Sequence, residues 1–235
     1  MIGYSTKSIE LTAKEKSLLG IGVFPAFQDL FNTVADGADP DVTNWTVVEN
    51  NGVVKIENHT TDLPGGWCLA ASGANTGDDG LACTFDKRII SFKEGVETIH
   101  FASRVNPLWA SNTGYVVGIG LLENDSLIAS IQELATANEC PASIVVNDDI
   151  PTAYSSDGAV IESTDLSAHI SFNTWFDLLI IISSSDVKFY IDETLRATHE
   201  TRVPSSIWQI AFGGTNVDNA SSETIEVEGV TLWAE

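Results

Sequence analysis

The chain has 235 residues, 33 Asp plus Glu against 11 Lys plus Arg, and a formal charge of −22. A phosphate backbone is held by Lys and Arg that release its counterions, so this balance argues against nucleic acid as a partner, and an anionic membrane surface is disfavoured on the same ground. With 43% hydrophobic and 9% aromatic residues the composition is that of a folded chain, and its length suits one all-β domain of about 200–250 residues.

No run reaches the roughly 18–20 apolar residues that a membrane-spanning helix needs. The segment 17–27, SLLGIGVFPAF, comes nearest. Glu10 and Glu15 interrupt the basic region before it and no small-residue cleavage site follows, so it reads as mature chain and not as a secretory leader. Thr12 and Glu15 have capping-box spacing and Gly20 supplies a stop, which predicts a two-turn helix over 13–19. Residues 1–24 are therefore expected to form an N-terminal arm, and 25–235 the folded unit.

From Phe24 onward, short apolar or alternating runs are separated by Gly, Asn, Asp, Ser and Pro, the pattern of consecutive strands in a sandwich. Strands are predicted over 45–49, 53–58, 67–71, 81–85, 98–105, 115–123, 127–134, 143–146, 169–172, 175–183, 187–192, 195–200, 207–213 and 224–233. Two hairpins are expected. Asn51-Gly52 is the strongest short signal, because both residues accept the positive φ of a tight primed turn. The run 183–186 joins a strand whose Leu178 to Ile182 core should be buried on both faces to one in which Val187, Phe189 and Ile191 share a face.

Three cysteines are too few for a disulfide-built scaffold and lack zinc spacing. Cys68 and Cys83 are equidistant from the middle of the turn-rich run 72–80, so a symmetric hairpin makes them opposite neighbours, able to form a disulfide under oxidising conditions. Cys140 is left over as a thiol. The four histidines show no metal-ligand spacing.

The run WFDLLIIISSSDVKFYIDETLRATHET, then VPSSIWQIAFGG and a closing EVEGVTLW, resembles the second half of the concanavalin A-like jelly roll shared by laminin-G-like modules, lectins and family 16 glucanases. Asp192-Glu193 stands where many relatives carry Asp-Gly. The resemblance implies an all-β, antiparallel two-sheet jelly-roll sandwich. In its enzymes an ExDxxE-type strand supplies the two carboxyl groups, roughly 5–5.5 Å apart, that a retaining glycosidase needs. Glu123-Asn124-Asp125 is the nearest match here, and Leu127 and Ile128 occupy the acid positions. A Tyr115, His100 and Arg104 set could serve a polysaccharide lyase, and these are equally ordinary strand residues. No GxSxG elbow and no phosphate-cradling glycine motif is present.

The loop residues Asp36, Asp39 and Asp41 gather hard oxygen ligands suited to calcium, although Asp, Asn and Gly also cluster in turns. Trp45, Trp175, Trp208 and Trp233 are expected in the core. Trp109 and Trp67, with Asn112, could instead stand at a loop rim and hold a glycan ring. The resemblance, with an N-terminal arm attached, implies a non-enzymatic, lectin-like module, expected on a virion surface of a tailed virus. Its arm would dock other structural subunits, it would be homo-oligomeric, and it would bind surface glycans. The alternatives are a secreted or cell-surface carbohydrate-binding domain and a glycoside hydrolase or lyase.

Overall fold

A computed structural model describes residues 27–29, 31, 45–50, 53–58, 66–71, 79–85, 97–108, 115–122, 142–147, 149–158, 160–204, 209–216 and 224–235. They form β1 (Phe27–Asp29), β2 (Trp45–Asn50), β3 (Val53–Asn58), β4 (Gly66–Ala71), β5 (Asp79–Phe85), β6 (Thr98–Leu108), β7 (Tyr115–Leu122), β8 (Ala142–Asn147), β9 (Ile150–Ser156), β10 (Ile161–Asp165), β11 (Phe176–Ser183), β12 (Val187–Ile191), β13 (Thr194–His199), β14 (Gln209–Asn216) and β15 (Thr224–Ala234). Sheet A runs β13-β12-β11-β6-β15-β4-β3, with β1 pairing the far part of β15; sheet B runs β10-β9-β8-β7-β14-β5-β2. The pairings are antiparallel, so the architecture is the expected all-β two-sheet sandwich.

The alternation in β11 and β12 explains how the sheets meet. Phe176, Leu178, Ile180 and Ile182 are buried while the residues between them are half-buried or exposed, and Val187, Phe189 and Ile191 face the same interior. Leu179 and Ile181 are half-buried, so this strand is not covered equally on both faces as expected. Sheet B answers with Val117, Ile119 and Leu121 of β7 and Phe212 of β14. Phe31, Trp45 and Phe212 form an aromatic cluster with ring centroids 5.4–5.9 Å apart, each such pair contributing about 0.5–1.5 kcal/mol beyond its area burial.

The hairpin at 183–186 forms as predicted, with Ile182 opposite Val187 and the Ser183 hydroxyl accepting the amides of Ser185 and Asp186 at 3.1 and 3.0 Å. The hairpin expected at Asn51-Gly52 does not. β2 pairs β5 in sheet B while β3 pairs β4 in sheet A, so the link crosses between sheets, a corner that tight-turn chemistry serves as well as a hairpin. The same division overturns the cysteine register. Cys68 lies between Ile56 and Val227 in sheet A, and Cys83 between Val47 and Phe212 in sheet B. They are not cross-strand neighbours in one sheet, and Cys83 is buried in the core.

The strand expected at 169–172 is a turn, in which the amides of His169 and Ile170 donate to the Leu166 carbonyl at 2.8 and 3.1 Å. Leu166 and Ile170 are buried four residues apart, a spacing that fits one helical turn. Three strands were not foreseen, β1, β9 and β10. In β9, Pro151 reads as loop punctuation but sits one residue inside the strand, and β10 is a polar edge.

Candidate functional site

A β-bulge in β15 creates the site. Arg104 pairs Glu228 and Ser103 pairs Val230, leaving Gly229 as the extra residue at φ 75°, a conformation suited to glycine. The Ser103 hydroxyl donates to the Gly229 carbonyl at 2.8 Å and fixes the bulge. Beyond it the face parity of β15 is reversed. Val227, Val230 and Leu232 all enter the core, whereas Glu226, Glu228, Thr231 and Trp233 lie on the outer face of sheet A.

That face carries a groove of about 240 Å³ whose walls include Ala102, Arg104, Asp177, Glu193, Glu228 and Trp233. Arg104 donates to Glu228 at 2.8 Å, approaches Asp177 at 3.9 Å, and lies 5.4 Å above the centre of the Trp175 ring. Trp233 is 6% exposed and stacks on His100 at 4.8 Å between centroids. Its indole Nε1, a donor, is buried without a partner. Thr98 Oγ1 lies 2.8 Å from His100 Nε2 and fixes that ring. Burial lowers the His100 pKa, with Glu235 opposing the shift. Carboxylate acceptors and half-buried aliphatic walls together match a ligand that carries both hydroxyl groups and C–H surface.

The β12–β13 turn supplies one wall. Asp192 and Glu193 are its two central residues at φ 49° and 64°, the primed geometry that favours Asn-Gly or Asp-Gly. Asp192 docks the turn beside the groove, its amide donating to the Asp177 carbonyl at 2.9 Å and its carboxylate accepting the Asp177 amide at 3.0 Å.

The outer face of sheet B is different. Its central strands β7, β8 and β14 read YVVGIGLL, ASIVVN and QIAFGGTN, without an Asp or Glu. By register, Val116, Ser143, Val145 and Ala211 belong to that face and are buried.

Of the residues singled out from sequence, Trp109, Asn112, Asp36, Asp39, Asp41, Glu123, Asp125 and Cys140 lie outside the described residues. Trp67 is in β4, where only the backbone is described. Among the described residues no group of three or more His, Cys, Asp or Glu is arranged to hold a metal ion. Trp45 is core as expected. Trp175 is instead half-buried ahead of β11 under Arg104, and Trp233 is buried on the outer face. The Tyr115, His100 and Arg104 set is divided, because Tyr115 opens β7 in sheet B while His100 and Arg104 share the outer face of β6. Asp177, Glu193 and Glu228 were missed. The signal that could have found them is EVEGVTLW, where apolar residues step by two up to Val227 and resume at Val230, so the break at Gly229 marks the bulge.

No protein-family model and no curated protein sequence matches the chain. Solved structures do. The Emp47p carbohydrate recognition domain superposes with a TM-score of 0.58 at 12% identity, over 89% of this chain and 94% of that one. A prokaryotic β-1,3-1,4-glucanase (lichenase) derived from a mouse hindgut metagenome gives 0.59 at 12% identity, over 89% and 99%. An alginate lyase of polysaccharide lyase family 7 gives 0.52 at 13% identity, over 83% and 96%. The chain therefore has the concanavalin-like jelly-roll fold found in lectins and glycoside hydrolases.

Proposed function

We propose that this protein is a glycan-binding module without hydrolytic activity, and that the groove on the outer face of sheet A is its binding site. The observation that carries the reading is the groove itself: Arg104, carboxylates and the Trp233 ring on a half-apolar face. Sugar rings present hydroxyls along their edges and C–H groups on their faces, and need both kinds of partner. Support for the non-hydrolytic part comes from the sequence at Glu123-Asn124-Asp125, where Leu127 and Ile128 stand at the acid positions of the retaining pattern.

A glycan array should show specific binding that Ala102→Gln, which fills the groove from its floor, abolishes while leaving the circular dichroism spectrum unchanged. Binding that survives Ala102→Gln would move the site elsewhere. Incubation with β-glucans should release no reducing sugar; release that disappears in Glu123→Gln would overturn the non-enzymatic assignment.

The setting proposed for this module is a virion surface, where residues 1–24 dock it to other subunits. The change of sequence pattern at Phe24 supports the separate arm on which the docking rests. Deleting residues 1–20 should leave the sandwich folded and abolish assembly in sedimentation. Loss of folding would assign the segment to the core.

A further inference from the structure

We propose that the binding surface runs on from the groove along one cross-strand row to Leu195, and that it takes an extended, linear oligosaccharide of about four units, an extension that rests on the glycan-binding reading above. The register sets the row. Ala102 of β6 stands opposite Leu179 of β11, Leu179 opposite Tyr190 of β12, and Tyr190 opposite Leu195 of β13. Directly opposite residues share a face, so all four lie on the outer face of sheet A, and Ala102 and Leu179 already belong to the groove. Ala102, Leu179 and Tyr190 are half-buried, and Leu195 is 45% exposed. β13 is the last strand of the sheet, and the row therefore leads from the groove to its rim.

The shape of the row selects the occupant. Three strand intervals of about 4.8 Å span about 14 Å, and the row is one side chain wide. A stable protein interface buries roughly 800 Å² per partner, far more than such a strip offers. A pyranose unit in an extended chain is about as long as one strand interval, about 5 Å, so two units meet Ala102 and Leu179, a third meets Tyr190 and a fourth Leu195. The chemistry agrees with the shape. Tyr190 offers ring surface with a polar tip, and Leu179 and Leu195 offer aliphatic surface for the C–H faces of sugars. The row on one side carries Lys188 and His100, and the row on the other carries Asp177 opposite Arg104, polar partners for hydroxyls at the sugar edges. A lone terminal sugar would occupy the groove and leave Tyr190 and Leu195 uncovered.

Titration calorimetry of the full chain with cello-, manno- and chito-oligosaccharides, dimer to hexamer, tests this. In a series that binds, the tetramer should bind at least about tenfold more tightly than the dimer, with little further gain to the hexamer. Tyr190→Ala should weaken tetramer binding about tenfold and Leu195→Ser about threefold, while dimer affinity stays within about twofold. Leu195 is exposed, so its variant keeps the fold and carries the test should Tyr190→Ala unfold. No binding in any of the three series, equal affinity of dimer and tetramer, or unchanged tetramer binding in Leu195→Ser overturns the extension, and a positive glycan array then leaves the groove standing. A negative array overturns both. Loss of self-association in Leu195→Ser, seen by sedimentation, would give the row to a second copy of the chain and overturn the extension as well.

Discussion

Gly120→Ala should cost about 3 kcal/mol or more of stability, the upper range for overpacking, and reduce soluble yield. A Cβ at this position would lie 2.6 Å from the Ala142 carbonyl oxygen and 2.6 Å from Ser143 Cα, and would overlap Ser143 Cβ. None of these atoms is the end of a flexible side chain. β7 is also paired on both sides, Gly120 standing opposite Ser143 of β8 and Ala211 of β14, so the strand cannot retreat without breaking a ladder. Gly118→Ala should be milder, because its nearest contacts are 2.9 Å to the Ile144 oxygen and 3.0 Å to a Val145 methyl. Urea unfolding of both variants measures the ranking. A Gly120→Ala protein within about 0.5 kcal/mol of the parent would show that the sheet yields more readily than this packing allows.

The place of Gly120 also shows where sequence reasoning reaches its limit. Gly118-Ile119-Gly120 was readable as strand because Val117, Ile119 and Leu121 alternate, and that period fixes which face is core. Which strand lies beside it is a long-range matter. Local pattern placed the edges of β11 and β12 to within a residue, since their hairpin joins neighbours in one sheet. The same kind of pattern misassigned Asn51-Gly52 and the pair Cys68 and Cys83, because turn chemistry reports that the chain reverses, not whether it returns to the same sheet. The resemblance implied two sheets, but not that β4 and β5 would fall on opposite sides.

The groove was half legible for a related reason. Trp233 and Arg104 were noticed as an aromatic and a strand cation, but their convergence depends on one extra residue, Gly229, which turns Trp233 to the outer face. Asp177 and Glu193 join through the Asp192 turn. Three strands distant in sequence meet there, and no spacing rule connects 104, 177 and 228. The ExDxxE-type pattern pointed to Glu123 and Asp125, whereas the carboxylates lining a groove among the described residues are Asp177, Glu193 and Glu228 on sheet A.

The second large effect is expected at His199, which ties the two sheets together at their edge. Its Nδ1 lies 2.8 Å from the Ser155 hydroxyl of β9 and its Nε2 2.9 Å from the Thr164 hydroxyl of β10, while its ring packs on Phe189 at 5.1 Å. It is 1% exposed, and Ser155 is wholly buried. His199→Ala leaves two hydroxyls to find new partners beside a new cavity, and should cost about 2–4 kcal/mol. Burial lowers the His199 pKa, with the Glu162 carboxylate opposing it. The unfolded chain therefore binds a proton near pH 6.5 that the folded chain takes up only at lower pH. The stability from neutral His199 is complete above that pH and is lost as pH falls toward the depressed folded value. Burial lowers His100 in the same direction, so His199→Ala should flatten the decline in stability between about pH 7.5 and 5.5 without abolishing it. Urea titrations at the two pH values measure both effects; a variant that keeps the full slope of the parent would show that the His199 link does not set the acid sensitivity of the sandwich.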